Sequence, residues 1–370
     1  MTAATPAAGI RETDRWLAAL ERTFLVPEDH RVGYFDRVAA LDMLRCGEEV
    51  LDALVQAGLP TLGEPGAEWF DRFDLFNLAL ASGSQTSVPE KAIKYALRWM
   101  HRGPKTWTES LDWTFVVDLS CPLDTCGEDP EWSHAQMLPE AVGGELYDWK
   151  VEPEGARMVG DQLRYSGPGP LRFSGNVSTS GELMQLRSPV LRRIVEDFFA
   201  VGYRWVRLPE PLQWEYQRLL DAGVSPCISA SLFLAREFEA AGYPAVTRRG
   251  WLLGMLDLSH SWVEVTDDDG VVKPIDPIFT WLTEYADKPH PDLAAASIGS
   301  RMNRLLPAAM TADGLMATHS CGGRELTPRR KTMIRRRLAT DGPAGPAGSA
   351  GGTATAGPAP TAGVSPCPTH

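Results

Sequence analysis

Residues 259–279 read SHSWVEVTDDDGVVKPIDPIF, and no other stretch restricts the fold so tightly. His260, Trp262 and Glu264 alternate with Ser261, Val263 and Val265, which is the period of a strand. The segment from Val271 to Ile275 can run back beside it. Between the two, Asp268-Asp269-Gly270 suits a three-residue hairpin loop with glycine at the left-handed position. That loop length sets the register. Asp267 falls opposite Val271, and Trp262 falls opposite Asp276. His260 is then the diagonal neighbour of Asp276 on one face, roughly 7–8 Å away and within reach of an imidazole and a carboxylate. A four-residue loop from Asp267 to Gly270 would place the two on opposite faces. Pro274 cannot donate to a ladder, so it needs an edge or a bulge.

Upstream lies 223-GVSPCISASLFLAREFEAAGYPAV-246. Ser225 suits an N-cap and Pro226 the first helical position, because a proline there has no N–H to lose. Ile228, Leu232, Ala235 and Phe238 then lie near one face, and Gly242 and Pro244 end the helix. Cys227 is expected in the first turn, where free N–H groups favour thiolate over thiol. The same groups could hold an oxyanion. Gln213, Trp214 and Gln217 could supply a second donor, although each also reads as an ordinary residue on an amphipathic helix spanning 211–223. Alone, a cysteine is more often a small buried residue that packs. A nucleophilic thiolate needs a base, and the base needs a third group to fix its tautomer. His260 and Asp276 follow in the right order to serve.

These pieces, the helix-opening cysteine, HSWVEV and IDPIF, resemble the transglutaminase-like superfamily over roughly residues 190–285. The resemblance implies an α+β fold with a papain-like core, a cysteine-bearing helix packed on an antiparallel sheet. It implies Cys227 as nucleophile, His260 as general base and acid, and Asp276 as the orienting group. It departs from many members in the proline directly before the cysteine. The chemistry implied is acyl transfer through a thioester acyl-enzyme. The donor would be a peptide amide or a carrier-protein thioester, and the acceptor an amine or water. Amide formation of the bacterial natural-product type is expected, with a cysteine protease or amidohydrolase as the alternative. A binding protein on the same fold is a further rival.

The remaining chain divides by composition and period. Residues 1–110 read as a helical region, with stretches at Arg15–Arg22, Phe35–Ala57 and Pro89–Met100. Residues 111–188 read as a mixed, β-rich segment, and 189–335 as the catalytic domain. The basic run 324-RELTPRRKTMIRRR-337 reads as a solvated helix face or the base of a tail. Residues 338–370, almost wholly Ala, Gly, Pro, Thr and Ser, cannot bury enough apolar surface to order. The formal charge of −12 disfavours nucleic acid as a partner. Apolar runs are too short to span a bilayer, and the N-terminus carries no basic segment followed by an apolar run, so a cytoplasmic protein with reduced thiols is expected. The 6 cysteines are scattered through a long chain, which argues against a disulfide framework. Cys121, Cys126 and His134, joined by His319 and Cys321, could bind zinc, but usual zinc spacing is tighter, so no metal and no cofactor are expected. Asp267-Asp268-Asp269 lacks the alternating spacing of a calcium loop and reads as a polar turn.

Overall fold

Strands with alternating buried and exposed residues lie between residues 111 and 336, and they assemble into antiparallel sheets. The computed structural model describes residues 8–122, 133–140, 145–167, 169–255 and 259–337. Its strands are β1 (Gly33–Asp36), β2 (Trp69–Asp71), β3 (Leu111–Ser120), β4 (Ser133–Met137), β5 (Leu146–Glu152), β6 (Arg157–Val159), β7 (Gln162–Ser166) and β8 (Leu171–Thr179). They continue as β9 (Ala245–Leu252), β10 (Ser259–Thr266), β11 (Val272–Ile275), β12 (Leu305–Ala308), β13 (Ala317–Cys321), β14 (Arg324–Leu326) and β15 (Arg329–Arg336). Three larger sheets run in the orders β11-β10-β9-β12, β14-β13-β4-β7-β6 and β15-β3-β8-β5. The chain is thus mixed α and β. Among the described residues, no helix is long and apolar enough to cross a membrane. The tail expectation for 338–370 lies outside the described residues.

The β11-β10-β9-β12 sheet is covered on both sides. The helix Cys227–Ala240 puts Ala230, Leu234 and Phe238 into one core with Val263, Val265 and Ile275. Trp251 and Leu306 join Trp113, Phe115 and Phe173 in a second core, with Phe115 and Trp251 ring centroids 4.8 Å apart. Full burial of each such side chain stabilises by about 1.5–3 kcal/mol. Gly250, opposite His260, is required between β9 and β12, because a Cβ there would meet the Leu306 carbonyl oxygen at 2.0 Å.

The N-terminal region is helical, with short β1 and β2 inserted. Helices Ala8–Arg22, Arg37–Leu44, Glu48–Gln56 and Arg72–Ser82 bury Trp16, Leu44, Leu51, Leu54, Leu75 and Leu78 together. The helix expected over 35–57 is two helices. Asp36 caps the first through Ala39 N–H, and left-handed Arg45 (φ 55°) ends it. Likewise the helix expected over 211–223 is two short ones, Glu210–Gln213 and Tyr216–Asp221.

The basic run is not a helix face. Gly322 and Gly323 (φ 59° and 70°) turn the chain between β13 and β14, and β15 then pairs with β3 from Arg329↔Ser120 to Arg336↔Trp113. An extended partner strand outweighs the helix propensity of arginine and lysine. Strands β13 and β15, read from the sequence as part of the catalytic segment, pair with β4 and β3 of the 111–188 segment, and β14 pairs with β13.

Candidate active site

The hairpin forms in the register read from its loop. Val263 stands opposite Ile275, Glu264 opposite Pro274 and Thr266 opposite Val272. Asp267 N–H donates to Val271 at 3.0 Å, Gly270 N–H donates back to Asp267 at 2.8 Å, and Gly270 has φ +74°. Pro274 lies on β11, an edge strand of the sheet, where its missing N–H is tolerated. The acidic turn holds a cation of the chain itself. Lys273 Nζ, on a side chain 2% exposed, lies 2.7 Å from Asp267 Oδ2 and 2.6 Å from Asp269 Oδ2. Asp267 also accepts from Arg187 N and Ser188 N, which leads into the helix Pro189–Ala200. Burial opposes its charge, yet these donors and Lys273 hold the carboxyl down at about 2.

Asp276 is not a strand residue. β11 ends at Ile275, and Asp276 is the N-cap of the helix Pro277–Leu282. Its two oxygens are divided. Oδ1 accepts from Ile278 N–H at 3.0 Å, and Oδ2 lies 2.7 Å from His260 Nε2. Both residues are 1% exposed. The same-face geometry therefore holds, although Asp276 reaches His260 from a helix cap. The IDPIF motif carried that signal: aspartate before proline is a helix start.

With Nε2 taken, Nδ1 is the ring nitrogen left for Cys227. Nδ1 is buried and makes no aligned hydrogen bond in this resting arrangement. Cys227 lies near enough to the ring to raise its pKa. Such pairs often stand loose at rest and tighten with substrate bound. Burial alone would lower the histidine, but the Asp276 charge and hydrogen bond, with Cys227 beside it, push it up to about 10. The imidazolium is the form favoured at neutral pH. Trp262 and Phe279 flank the ring, with centroids 6.0 and 6.4 Å away.

Cys227 is half-buried and opens its helix, which starts one residue later than the sequence suggests. Pro226 is extended (ψ 169°) and is itself the cap, while the Ser225 hydroxyl is buried without a hydrogen-bond partner. In place of a side-chain cap, the first turn is fastened by Gln213. Its Oε1 accepts from Ile228 N–H at 3.3 Å and from Cys227 Sγ at 3.8 Å. Its Nε2 donates to the Leu208 carbonyl at 2.7 Å, and its own carbonyl accepts from Ser229 Oγ at 2.7 Å. Gln213 thus presents an acceptor to the helix start, and its Nε2, one of the possible second oxyanion donors, is taken by Leu208. Trp214 Nε1 donates to the Ala312 carbonyl, and Gln217 Nε2 to Asp221, so neither supplies that donor here. The N–H of Cys227 has no intrahelical partner by position, which leaves it for an oxyanion.

Sequence reasoning missed Glu210. Its Oε1 lies 2.8 Å from Arg249 Nη2 and 3.1 Å from Ser259 Oγ, beside the histidine strand. Burial opposes its charge, but Arg249 and Arg330 hold it below the ordinary range. No local motif announces this pairing, because its members come from distant segments.

Of the suggested zinc ligands, the fold gathers Cys121, His319 and Cys321. Cys126 lies outside the described residues, as does the side chain of His134, whose backbone stands opposite His319 on β4.

No family model matches the chain, and no curated protein matches it. Among solved structures it is similar to a candidate cysteine protease from Cytophaga hutchinsonii, at 10% identity and a TM-score of 0.35, covering 62% of this chain and 91% of that one. A likeness of that degree carries no argument about fold or activity.

Proposed function

We propose that the chain is a cysteine-dependent acyl-transfer enzyme, with Cys227 as nucleophile, His260 as acid and base, and Asp276 as the positioning group. The observation that carries this reading is the buried 2.7 Å contact between His260 Nε2 and Asp276 Oδ2, which leaves Nδ1 for a cysteine at a helix start. Cys227 Sγ adds to a carbonyl carbon, and the carbonyl electrons move to oxygen. The oxyanion faces the Cys227 N–H at the helix start. When the tetrahedral adduct collapses, His260 gives its proton to the leaving amine or thiol, and a thioester remains on Cys227. His260 then takes a proton from the acceptor, whose nitrogen or oxygen displaces the sulfur. Asp276 holds the ring and its tautomer throughout.

Amide formation and hydrolysis share every step up to the thioester, and the triad serves both. Amide formation is the proposed outcome. The test uses the full chain and acyl-N-acetylcysteamine thioesters, with a short amine or water as acceptor. Acid-quenched protein should carry the acyl mass on Cys227, and the mass should be absent from Cys227→Ser. Amide product assigns the amine acceptor, and free acid alone assigns hydrolysis. No adduct, together with alkylation of Cys227 by iodoacetamide no faster than in His260→Ala, would remove the enzymatic reading.

A further inference from the structure

We propose that Cys121, His319 and Cys321 form a buried binding site for one thiophilic divalent cation, zinc by donor chemistry, which fastens the end of β3 to the end of β13. This inference does not rest on the acyl-transfer reading. The donor atoms of the three residues lie within 4.8 Å of one another, and the residues are 8%, 2% and 6% exposed. They come from different sheets, since β3 lies in the β15-β3-β8-β5 sheet and β13 in the β14-β13-β4-β7-β6 sheet. Convergence of three such side chains across two sheets is not produced by a local motif.

The local geometry favours a ligand set. His319 and Cys321 are two apart on β13 and so share a face. The Gly322-Gly323 turn follows at once, and the register Cys321↔Arg324 fixes where the sulfur stands. Cys121 directly follows β3, whose Ser120 is held opposite Arg329. Leu326 packs over the two sulfurs.

Donors around a tetrahedral zinc lie ~2.0–2.3 Å from the metal and therefore ~3.3–3.8 Å from one another. Two thiolates and a neutral imidazole are soft and borderline donors, which select zinc over magnesium or calcium. Two thiolate charges also cancel the dication, so the loaded site is neutral and suits burial. Binding displaces one proton from each thiol to solvent, and no oxidant or reductant is required. The fourth position belongs to a ligand beyond these three residues. Neither Cys121 nor Cys321 is in a disulfide.

The experiment uses the full chain, purified without chelator or metal-affinity resin, and reads metal by plasma mass spectrometry. Stoichiometric zinc is expected in the wild type and in Cys227→Ser, with at least a tenfold loss of affinity in Cys121→Ser and in His319→Ala. Cobalt exchanged into the wild type should show a thiolate charge-transfer band and the intense visible bands of a tetrahedral site. If the variants do not fold, peptide mapping of the wild type decides: N-ethylmaleimide should label Cys121 and Cys321 only after a chelator strips the metal. Three outcomes overturn the proposal. They are wild-type protein that takes up neither zinc nor cobalt, a Cys121–Cys321 disulfide in protein quenched under acid, and zinc retained equally by the cysteine variants.

Discussion

His260 and Asp276 meet as a buried pair, and the half-buried Cys227 opens the helix Cys227–Ala240. Cys121, His319 and Cys321 meet where strands end, all buried, and their group contains no carboxylate among the described residues. The residue types are the same, but the surroundings differ in charge and access. Beside Asp276 the imidazole is held as a cation, which suits proton transfer to a leaving group. Paired sulfurs around an imidazole suit a neutral ring donating its lone pair to a metal. A third charged cluster, Lys273 between Asp267 and Asp269, has neither sulfur nor imidazole and works as a clasp on the hairpin. The role of a sulfur thus follows from its neighbours.

The strongest way to break the comparison is to remove one sulfur. Cys227→Ser should lower acyl transfer on the order of 10⁴-fold or more and leave the metal content of the chain untouched. Loss of both in that variant would mean that the two clusters are one site.

Asp276→Asn comes next. Asparagine still caps a helix, so folding should change little, while the turnover rate should fall on the order of 10³-fold. The pH profile sharpens the point. His260 is raised from its ordinary 6.5 to about 10, so its proton should be lost, and with it the imidazolium, only as pH climbs toward that value. In Asp276→Asn the alkaline limb should move to lower pH. An unmoved limb would show that the carboxylate does not govern the ring. The same raised value makes the folded state bind the proton more tightly than the unfolded one. That stabilisation is complete below pH 6.5 and fades as pH rises through about 10. Equilibrium denaturation at stepped alkaline pH measures it.

Asp267→Asn tests the clasp. It should cost about 2 kcal/mol at neutral pH, by urea denaturation, because Lys273 keeps only Asp269. The sign follows from a depressed carboxyl. Its stabilisation is present above the ordinary 3.8 and disappears as pH falls through about 2. The smallest effect is expected for Ser259→Ala, which removes one donor to Glu210 and should cost about 1 kcal/mol.

Much of the site was legible because its signals are local. Asp268-Asp269-Gly270 fixed the loop length, and loop length fixed which face Asp276 shares with His260. Pro226 marked a helix start, within one residue. What was illegible depends on partners far apart in the chain. Gln213 reads as one residue of a long helix until Trp214 and Glu215 interrupt it, and its amide then closes on Ile228 and Leu208. Glu210 becomes informative only beside Arg249. The 324–337 run looked helical by its arginines because nothing nearby reveals that β3 awaits a partner. Cys121 and Cys321 are 200 residues apart by number, and only two sheets packed together bring them into one group.

If the chain works by the proposed acyl transfer, the divided carboxylate of Asp276 ties turnover to heat. Fraying of the short helix Pro277–Leu282 would slacken the same side chain that steadies the ring, so warming should silence turnover before the sheet beneath it melts. A gap between those two temperatures, wider in the native chain than in one whose helix start is reinforced, would make thermal switch-off of the proposed activity a property of six residues and not of the whole molecule.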